Sequence, residues 1–421
     1  MKNIHIISGG TISHIRPHLA LSAPAYGTTG EIIYSQLRKN HLNKGTTNAN
    51  HIHYHGTKMT GGYLETNEDV SKLLDRLIDD PNTGMIFMPV ALCDFEVYHI
   101  DDGPRYDGGL KVGKEFQRLK TSDGQRTLMI KPAKKLLGKI RKDRKDIFLV
   151  AFKTTSDMSD DEMFDAGMSL LKKNSCNLVL VNDVKRRQNM ILTPEMARYC
   201  VTTNRDLVLQ ELVSMAEFRS NLTFNRTNVV ENVNLIGWES DGVPSSLREV
   251  VNYCVQRGAY KPFNNVTVGH FGVLKKQTNN QYLYSSRRKK NYLNLKDRDL
   301  VLVTFNKDKI TAYGDKPSAG VRSQYELFKN HPKYDCVIHF HCPLKDGSKI
   351  NIRPQKQFEC GSLECGINTS NGIMPIHDGL AAVMLDKHGP NILFKSNIDP
   401  QKVIKFIDDN FELSKSTSDS I

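Results

Sequence analysis

Short apolar runs recur through the first half of the chain, and each ends in a polar or glycine-bearing turn. Residues 3–8 (NIHIIS) run into Gly9-Gly10-Thr11, and Gly84–Val90 into Ala91-Leu92-Cys93-Asp94. Asp146–Phe152 (DIFLVAF) precedes Thr154-Thr155, and Leu178–Val181 precedes Asn182-Asp183. Runs of this length, bounded by turn residues, predict strands. Between the last two, Asp160 to Asn174 places Met163, Met168 and Leu171 on one helical face, and a second helix after Asn204 (RDLVLQELVSMAEFRS) closes the unit. Strands alternating with helices predict an α/β domain with a doubly wound, Rossmann-like parallel sheet. Its ligand site is expected at the carboxyl ends of the strands, where these turns sit.

The pattern changes after residue 219. Residues 220–242 are polar and Asn-rich and read as a linker. A fresh amphipathic helix begins at Ser245-Ser246, with Glu249 three residues after Ser246 in the spacing of a capping box. Strands follow at Tyr282–Ser285 and Leu300–Phe305, then a helix from Ser318, the strand Cys336–His341 and a helix from Pro400. Only the tail from Ser414 to Ile421 looks low in complexity. Two domains, 1–219 and 243–421, are therefore expected, as 421 residues exceed one ordinary core.

Composition narrows the class. An apolar fraction of 39% with 25% charged residues is that of a soluble globular chain, and excludes wholesale disorder, a collagen-like repeat or a membrane bundle. The most apolar stretch, Gly84–Cys93, is half the length needed to span a bilayer. No signal peptide is read at the start, and eight scattered cysteines fit a reducing compartment, so a cytoplasmic protein is expected, and a homo-oligomer. The formal charge is +12, carried largely by Lys139–Lys145, Lys185–Arg187 and Arg287–Lys290. These are solvated faces, or they attract a phosphorylated or otherwise anionic small molecule. Nucleic acid is the weaker partner, since no basic-aromatic reader motif is present.

Several first-half turns, taken together, carry a resemblance. Ser8-Gly9-Gly10-Thr11, Gly27-Thr28-Thr29-Gly30, Ala91-Leu92-Cys93-Asp94-Phe95, Leu149-Val150-Ala151-Phe152 and Val181-Asn182-Asp183-Val184 resemble, in order and spacing, the phosphopantothenoylcysteine synthetase family over residues 1–219. That family is the ligase half of the coenzyme A biosynthesis flavoprotein. The resemblance implies activation of a carboxylate by a nucleoside triphosphate, usually CTP, and then amide formation. It makes Gly9, Gly10, Asp94, Phe152 and Asn182 the nucleotide-binding candidates and Lys120 the catalytic one, with Arg118 the alternative position for the family's Lys. Glycine turns suit this role because backbone N–H groups can approach phosphates there. The chain departs from the family at Ala23, where a catalytic Asn is expected, and at Thr28, where the loop carries Lys. A nucleotide-type fold that no longer ligates is the competing reading.

In the second half the chemical signal is His339-Phe340-His341. On a strand, residues i and i+2 share a face, so both imidazoles can reach one metal ion, although a bare His-x-His is also common as plain structure. Its surroundings resemble the class II aldolase/adducin family over about residues 243–412. The matching pieces are Gly269-His270-Phe271-Gly272, Asp297–Val303, Lys316-Pro317-Ser318-Ala319-Gly320 and Val383–Gly389. The resemblance implies an α/β/α domain in which His339, His341 and His388 bind Zn²⁺ or a similar divalent metal, with His377 as a reserve ligand. Three neutral imidazoles leave a coordination position open for substrate. In the family the metal holds the oxygens of a keto-sugar and stabilises an enediolate. The family's base is a Glu where this chain has Gly320, so Glu326, with Glu359 and Glu364 behind it, is the substitute candidate. Ser318, Arg287, Arg288 and His270 are the candidates for a substrate anion.

Three readings stand at this point. One is a fused enzyme, a metal-dependent aldolase or lyase joined to a nucleotide-binding synthetase-like domain. The others are a CTP-dependent acid–amine ligase and a non-catalytic, adducin-like assembly protein. A histidine trio in register is what a scaffold has no need of.

Overall fold

A computed structural model describes residues 2–43, 49–101, 110–277, 280–306 and 309–419. The apolar runs of the first half are its parallel strands. Strand β1 (Asn3–Ser8) leads into the hairpin β2 (Ile12–Arg16) and β3 (Leu19–Ser22), then helix α1 (Thr28–Asn43), β4 (Ile52–Gly56) and α2 (Asn67–Asp79). Next come β5 (Thr83–Met88), the ribbon β6 (Phe95–Asp101) and β7 (Thr127–Pro132), α3 (Leu137–Asp143), β8 (Phe148–Thr155) and α4 (Asp160–Asn174). Strands β9 (Leu178–Asp183), β10 (Asn189–Leu192) and β11 (Arg198–Thr202) and helix α5 (Arg205–Arg219) complete it. Helices α2 and α4 both begin in full capping boxes, Thr66 with Asp69 and Ser159 with Glu162, which satisfy amide groups that the first turn leaves without helical partners.

The sheet order is β11-β10-β9-β8-β5-β1-β4, and the five strands from β9 to β4 are parallel. In chain order these five run 2-1-3-4-5, the flavodoxin-like doubly wound arrangement. One covering layer holds α1 against α5, and the other holds α2, α3 and α4. The winding direction reverses between β1 and β5, so the crevice beyond their carboxyl ends is the place such a sheet offers a ligand.

The second half forms another sandwich. Its elements are β12 (Thr227–Val230), α6 (Ser245–Gln256), β13 (Pro262–Phe263), β14 (Val266–Thr267), β15 (His270–Gln277), β16 (Asn280–Ser286), β17 (Leu300–Asn306) and β18 (Lys309–Tyr313). These are followed by α7 (Val321–Asn330), β19 (Cys336–His339), β20 (Ile352–Arg353), α8 (Leu363–Gly372), β21 (Met374–His377), β22 (Leu380–Leu385), β23 (Gly389–Phe394) and α9 (Pro400–Asn410). The sheet runs β12-β18-β17-β16-β15-β19-β23-β22-β20, with β21 paired to β22. It is antiparallel from β18 to β22.

Period-two alternation along these strands feeds two cores. Phe271, Ile338 and Ile392 pack with Leu247, Val251 and Phe406 of α6 and α9. Val337, Val383 and Leu393 face the other way, toward Leu327 and Phe328 of α7. The row above them on that second face holds His270 and His339, and this is what positions the site.

Four expectations need correction. The stretch expected as a linker is ordered: β12 pairs with β18, Ile236 and Leu300 exchange backbone hydrogen bonds, and Trp238 is 2% exposed. Its polarity misleads because one edge strand and one buried indole suffice to anchor it. Accordingly, one compact unit comprises Met1–Pro194 with Cys200–Ser220, and the other Glu195–Tyr199 with Asn221–Ile421. Ser246 does not cap α6; its hydroxyl donates to the Ser396 carbonyl, and Pro244 holds the cap position. Helix α7 starts at Val321 rather than Ser318, and strand β19 stops at His339, two residues before His341. The tail, low in complexity, is packed as far as the described residues go, with the Thr417 amide donating to the His341 carbonyl. Among the described residues no helix is long and apolar enough to cross a membrane.

Candidate functional site

Strand β15 pairs with β19, and β19 with β23, so that His270, His339 and Asn391 stand opposite one another in one row. All three are buried. Directly opposed residues of antiparallel strands point to the same face, which sets the imidazoles of His270 and His339 side by side, ring centres 4.8 Å apart. His341 follows two residues after His339, and His388 sits in the tight turn between β22 and β23. That turn needs Gly389: its φ is +130°, and a side chain there would strike the Phe340 carbonyl, 2.0 Å from the Cβ position. The close approach of the Gly389 backbone to Phe340 and His341 is what carries His388 to the pair.

The three histidines His339, His341 and His388 are buried, and their ligand nitrogens lie within 4.8 Å of one another. Ring centres are 4.7 Å apart for His339 and His388, and 4.9 Å for His341 with either of the other two. His339 Nδ1 donates to the Pro390 carbonyl at 2.7 Å, which leaves Nε2 as a bare lone pair. That Nε2 is buried without a hydrogen-bond partner among the described residues. Burial drives the His339 pKa down to about 4, the Pro390 hydrogen bond partly opposing it, so the ring is neutral at physiological pH. A deprotonated nitrogen, oriented by a carbonyl behind it and buried without a partner, is the form in which imidazole binds a divalent cation. His377 is elsewhere: it pairs with Leu380 at the opposite end of β22 from His388, is exposed, and makes no part of this group.

The proposed acid and anion sites look different in place. Glu326 is buried in an ion pair with Arg322 at 3.1 Å, one helical turn away, and packs toward Gly366 of α8. Its carboxylate faces a guanidinium in the α7–α8 interface. Arg287 is likewise an internal group: 8% exposed, it donates to the Lys296 carbonyl and faces Asp297 and Asp315, each at 3.6 Å. Two carboxylates meet its charge, so it is not a free anion receptor. Arg288 is exposed. Ser318 is buried in the turn before α7 and accepts from the Gly320 amide through its hydroxyl.

Sequence reasoning missed Gln324 and Pro390. Gln324, fully buried on α7, places its amide nitrogen 2.9 Å from His270 Nδ1. Its spacing of four from Gly320 put it on the inner face of the helix, but no motif marked it. Burial first, and then the neighbouring His339, hold the His270 pKa well below the ordinary imidazole value.

In the first unit, the Gly9–Thr11 turn after β1 and the Ala91–Asp94 loop after β5 meet at the point where the sheet reverses. Gly10 and Ala91 form a parallel bridge, the Ala91 amide donates to the Gly9 carbonyl at 2.9 Å, and the Thr11 amide to the Ala91 carbonyl at 3.0 Å. Phe152 and Asn182 lie near the same ends of β8 and β9. Asp94 is largely exposed and pairs with Lys135 at 2.5 Å. Lys120 stands exposed before the short turn Thr121–Asp123. A cation not foreseen is Arg205, which donates to Thr29 Oγ1 at the start of α1 and to Asn189 Oδ1. The buried Asp183, also overlooked, gathers the amides of Asp157, Met158, Lys185 and Arg186 and so ties two loops at the strand ends.

Residues 248–344 match the family model of the Class II Aldolase and Adducin N-terminal domain. The matched span contains His270, Gly320, Gln324, His339 and His341, while His388 follows it. Among solved structures, the DNA/pantothenate metabolism flavoprotein of Streptococcus pneumoniae is 18% identical, over 52% of this chain and 99% of that one, at a TM-score of 0.42. The C-terminal domain of the coenzyme A biosynthesis bifunctional protein CoaBC is 14% identical over 51% and 94%, at 0.36. L-fuculose 1-phosphate aldolase is 14% identical over 40% and 82%, at 0.30. No curated protein matches the chain.

Proposed function

We propose that the class II aldolase-like unit holds one divalent cation, zinc or a similar metal, on His339, His341 and His388, and acts as a lyase or epimerase on a small hydroxy-carbonyl substrate. The observation that carries this reading is the His339 ring, its Nδ1 fixed on Pro390 and its buried Nε2 without a partner, with two more buried imidazoles beside it. A bound divalent cation supplies Lewis acidity toward a carbonyl oxygen. The chain supplies the rest: a sheet row and a tight turn that fix the rings, a buried surround that keeps the His339 ring neutral, and exclusion of bulk water by α7 and the tail. Arg288 is the cation available to an anionic end of the substrate. Emission spectrometry of the purified protein should find about one divalent ion per chain. A protein that takes up none in metal-replete buffer overturns the reading in favour of an assembly role.

For the first unit we propose nucleoside triphosphate binding in the crevice beyond β1 and β5. The 2-1-3-4-5 strand order and the glycine turn at the reversal point support it. CTP and ATP should each be tested by calorimetry against wild type and Asp94→Asn. The Asp94–Lys135 pair is exposed and contributes little to stability, so a loss of affinity in the variant reports on ligand contact. Absence of heat with every common nucleoside triphosphate would end this assignment.

A further inference from the structure

The ring of His270 fills the space where a side chain at position 320 would lie. A Cβ at Gly320 would fall 2.2 Å from His270 Cδ2 and 2.3 Å from Nε2. The absence of a side chain at 320 and the presence of an imidazole at 270 are thus one packing arrangement. It places a second kind of histidine next to His339, on the same face of the sheet and with its ring centre 4.8 Å away.

What distinguishes the two rings is the partner of Nδ1. At His339 that partner is a carbonyl, so Nδ1 carries the proton and Nε2 the lone pair. At His270 the partner is the side-chain amide nitrogen of Gln324, at 2.9 Å. An amide nitrogen only donates, so His270 Nδ1 accepts, and in the neutral ring the proton sits on Nε2. The orientation of the Gln324 amide rests on the same nitrogen donating to the Phe271 carbonyl at 3.4 Å, and it leaves the amide oxygen buried without a partner among the described residues. His270 is 4% exposed, and its Nε2 has no hydrogen-bond partner among the described residues. Unlike His339 Nε2, this atom is not wholly buried, so its N–H stands open to an incoming acceptor. Its chemistry calls for an oxygen acceptor, not a cation.

We propose that His270 is the hydrogen-bond donor of the metal centre, a neutral imidazole locked by Gln324 as its Nε2–H tautomer to bind a carbonyl or oxyanion oxygen of the ligand. This rests on the metal-centre reading above and adds the polarity of the fourth histidine: it binds ligand oxygen, and it does not join the other three on the cation. Gln324 is the positioning residue and His270 the contact.

Two measurements test it on the intact chain. In the ¹⁵N spectrum of histidine-labelled protein, the signals lost in His270→Asn should belong to an Nε2–H tautomer; an Nδ1–H tautomer overturns the proposal. In the zinc-loaded protein, acetohydroxamate serves as the oxyanion probe. His270→Phe keeps the ring volume beside Gly320 and should keep the zinc content of wild type, yet bind the probe about tenfold more weakly or worse. Equal affinity at equal zinc content overturns this proposal alone. A wild type without zinc overturns the reading beneath it as well, so the two failures are told apart. If His270→Phe does not fold, the tautomer measured in wild type decides.

Discussion

A methyl group on Gly10 would stand 1.9 Å from the carbonyl oxygen of Ala23. The glycine after β1 is therefore required by its own protein neighbour, since the segment after the β2–β3 hairpin lies where a side chain would go. Gly10→Ala should destabilise the first unit by about 1–3 kcal/mol through overpacking, whether or not a nucleotide is present. Urea unfolding followed by circular dichroism checks this. An unchanged midpoint would mean the Ala23 segment yields freely.

The first unit should also lose stability in mild acid. His5 on β1 and His55 on β4 share a hydrogen bond, Nδ1 to Nε2, at 3.0 Å, and His53 stacks on His5 with ring centres 4.9 Å apart. Burial is the main cause that lowers His5 to about 3 and His55 to about 4, with the neighbouring imidazoles adding to it and Asp80 opposing at His5. In the unfolded chain both titrate near 6.5. As pH falls from about 6.5 toward 4, the unfolded state takes up protons that the folded state refuses, so stability declines across that window and is fully present above it. Replacing both residues by Gln should flatten the decline. A decline of equal slope in the double variant would place its origin in other groups.

Trp238 is the chain's one tryptophan, and it belongs to the second unit. It is 2% exposed, packs edge-on to Phe271 at 5.2 Å, and its backbone amide donates to Asp299. Its emission should be that of a buried indole and should report the second unit's unfolding, separately from the circular dichroism change of the first. Trp238→Ala should cost about 3–5 kcal/mol. Brief proteolysis should spare residues 221–242, because Thr223 is hydrogen-bonded in both directions to the start of α8 and β12 lies in the sheet. Early cleavage within that stretch would reinstate it as a linker.

How far the chain could be read in advance follows from which signals are local. The buried parallel strands are continuous apolar runs, and β1, β5, β8 and β9 stand out for that reason. Strand β4 does not, because its sequence IHYHG spends three of five positions on polar aromatics: His53 and His55 stack on His5 of β1, and Tyr54 packs on Tyr34 of α1. His339 and His341 are legible as a neighbouring pair through period two, although β19 ends at His339 and His341 lies just beyond it. His388 came from family resemblance, and its approach to His341 depends on the turn at Gly389, a tertiary fact. Glu326 looked available although Arg322 stands four residues before it on a predicted helix; what the sequence hid is that both are buried against α8. The His270–Gly320 fit is likewise invisible along the chain, since fifty residues separate two atoms that compete for one space.

The decisive prediction concerns His341. It is buried, and it follows β19 at a point where the chain has left the ladder but is still held, because the Thr417 amide donates to its carbonyl. The backbone is thus fixed independently of the imidazole, and His341→Ala should fold. Removing one of three nitrogens should weaken metal binding by more than the roughly 10–100-fold that the loss of an outer partner alone produces. His377→Ala is the control: the residue is exposed at the far end of β22, and its removal should leave the metal content at that of wild type. Metal added to stripped wild type should raise the temperature at which Trp238 emission changes, since a ligand that binds the folded state stabilises it by mass action. The same addition should leave His341→Ala nearly unmoved. If His341→Ala keeps full metal content and His377→Ala loses it, the ligand set is wrong and the exposed hairpin at β21 is the true site.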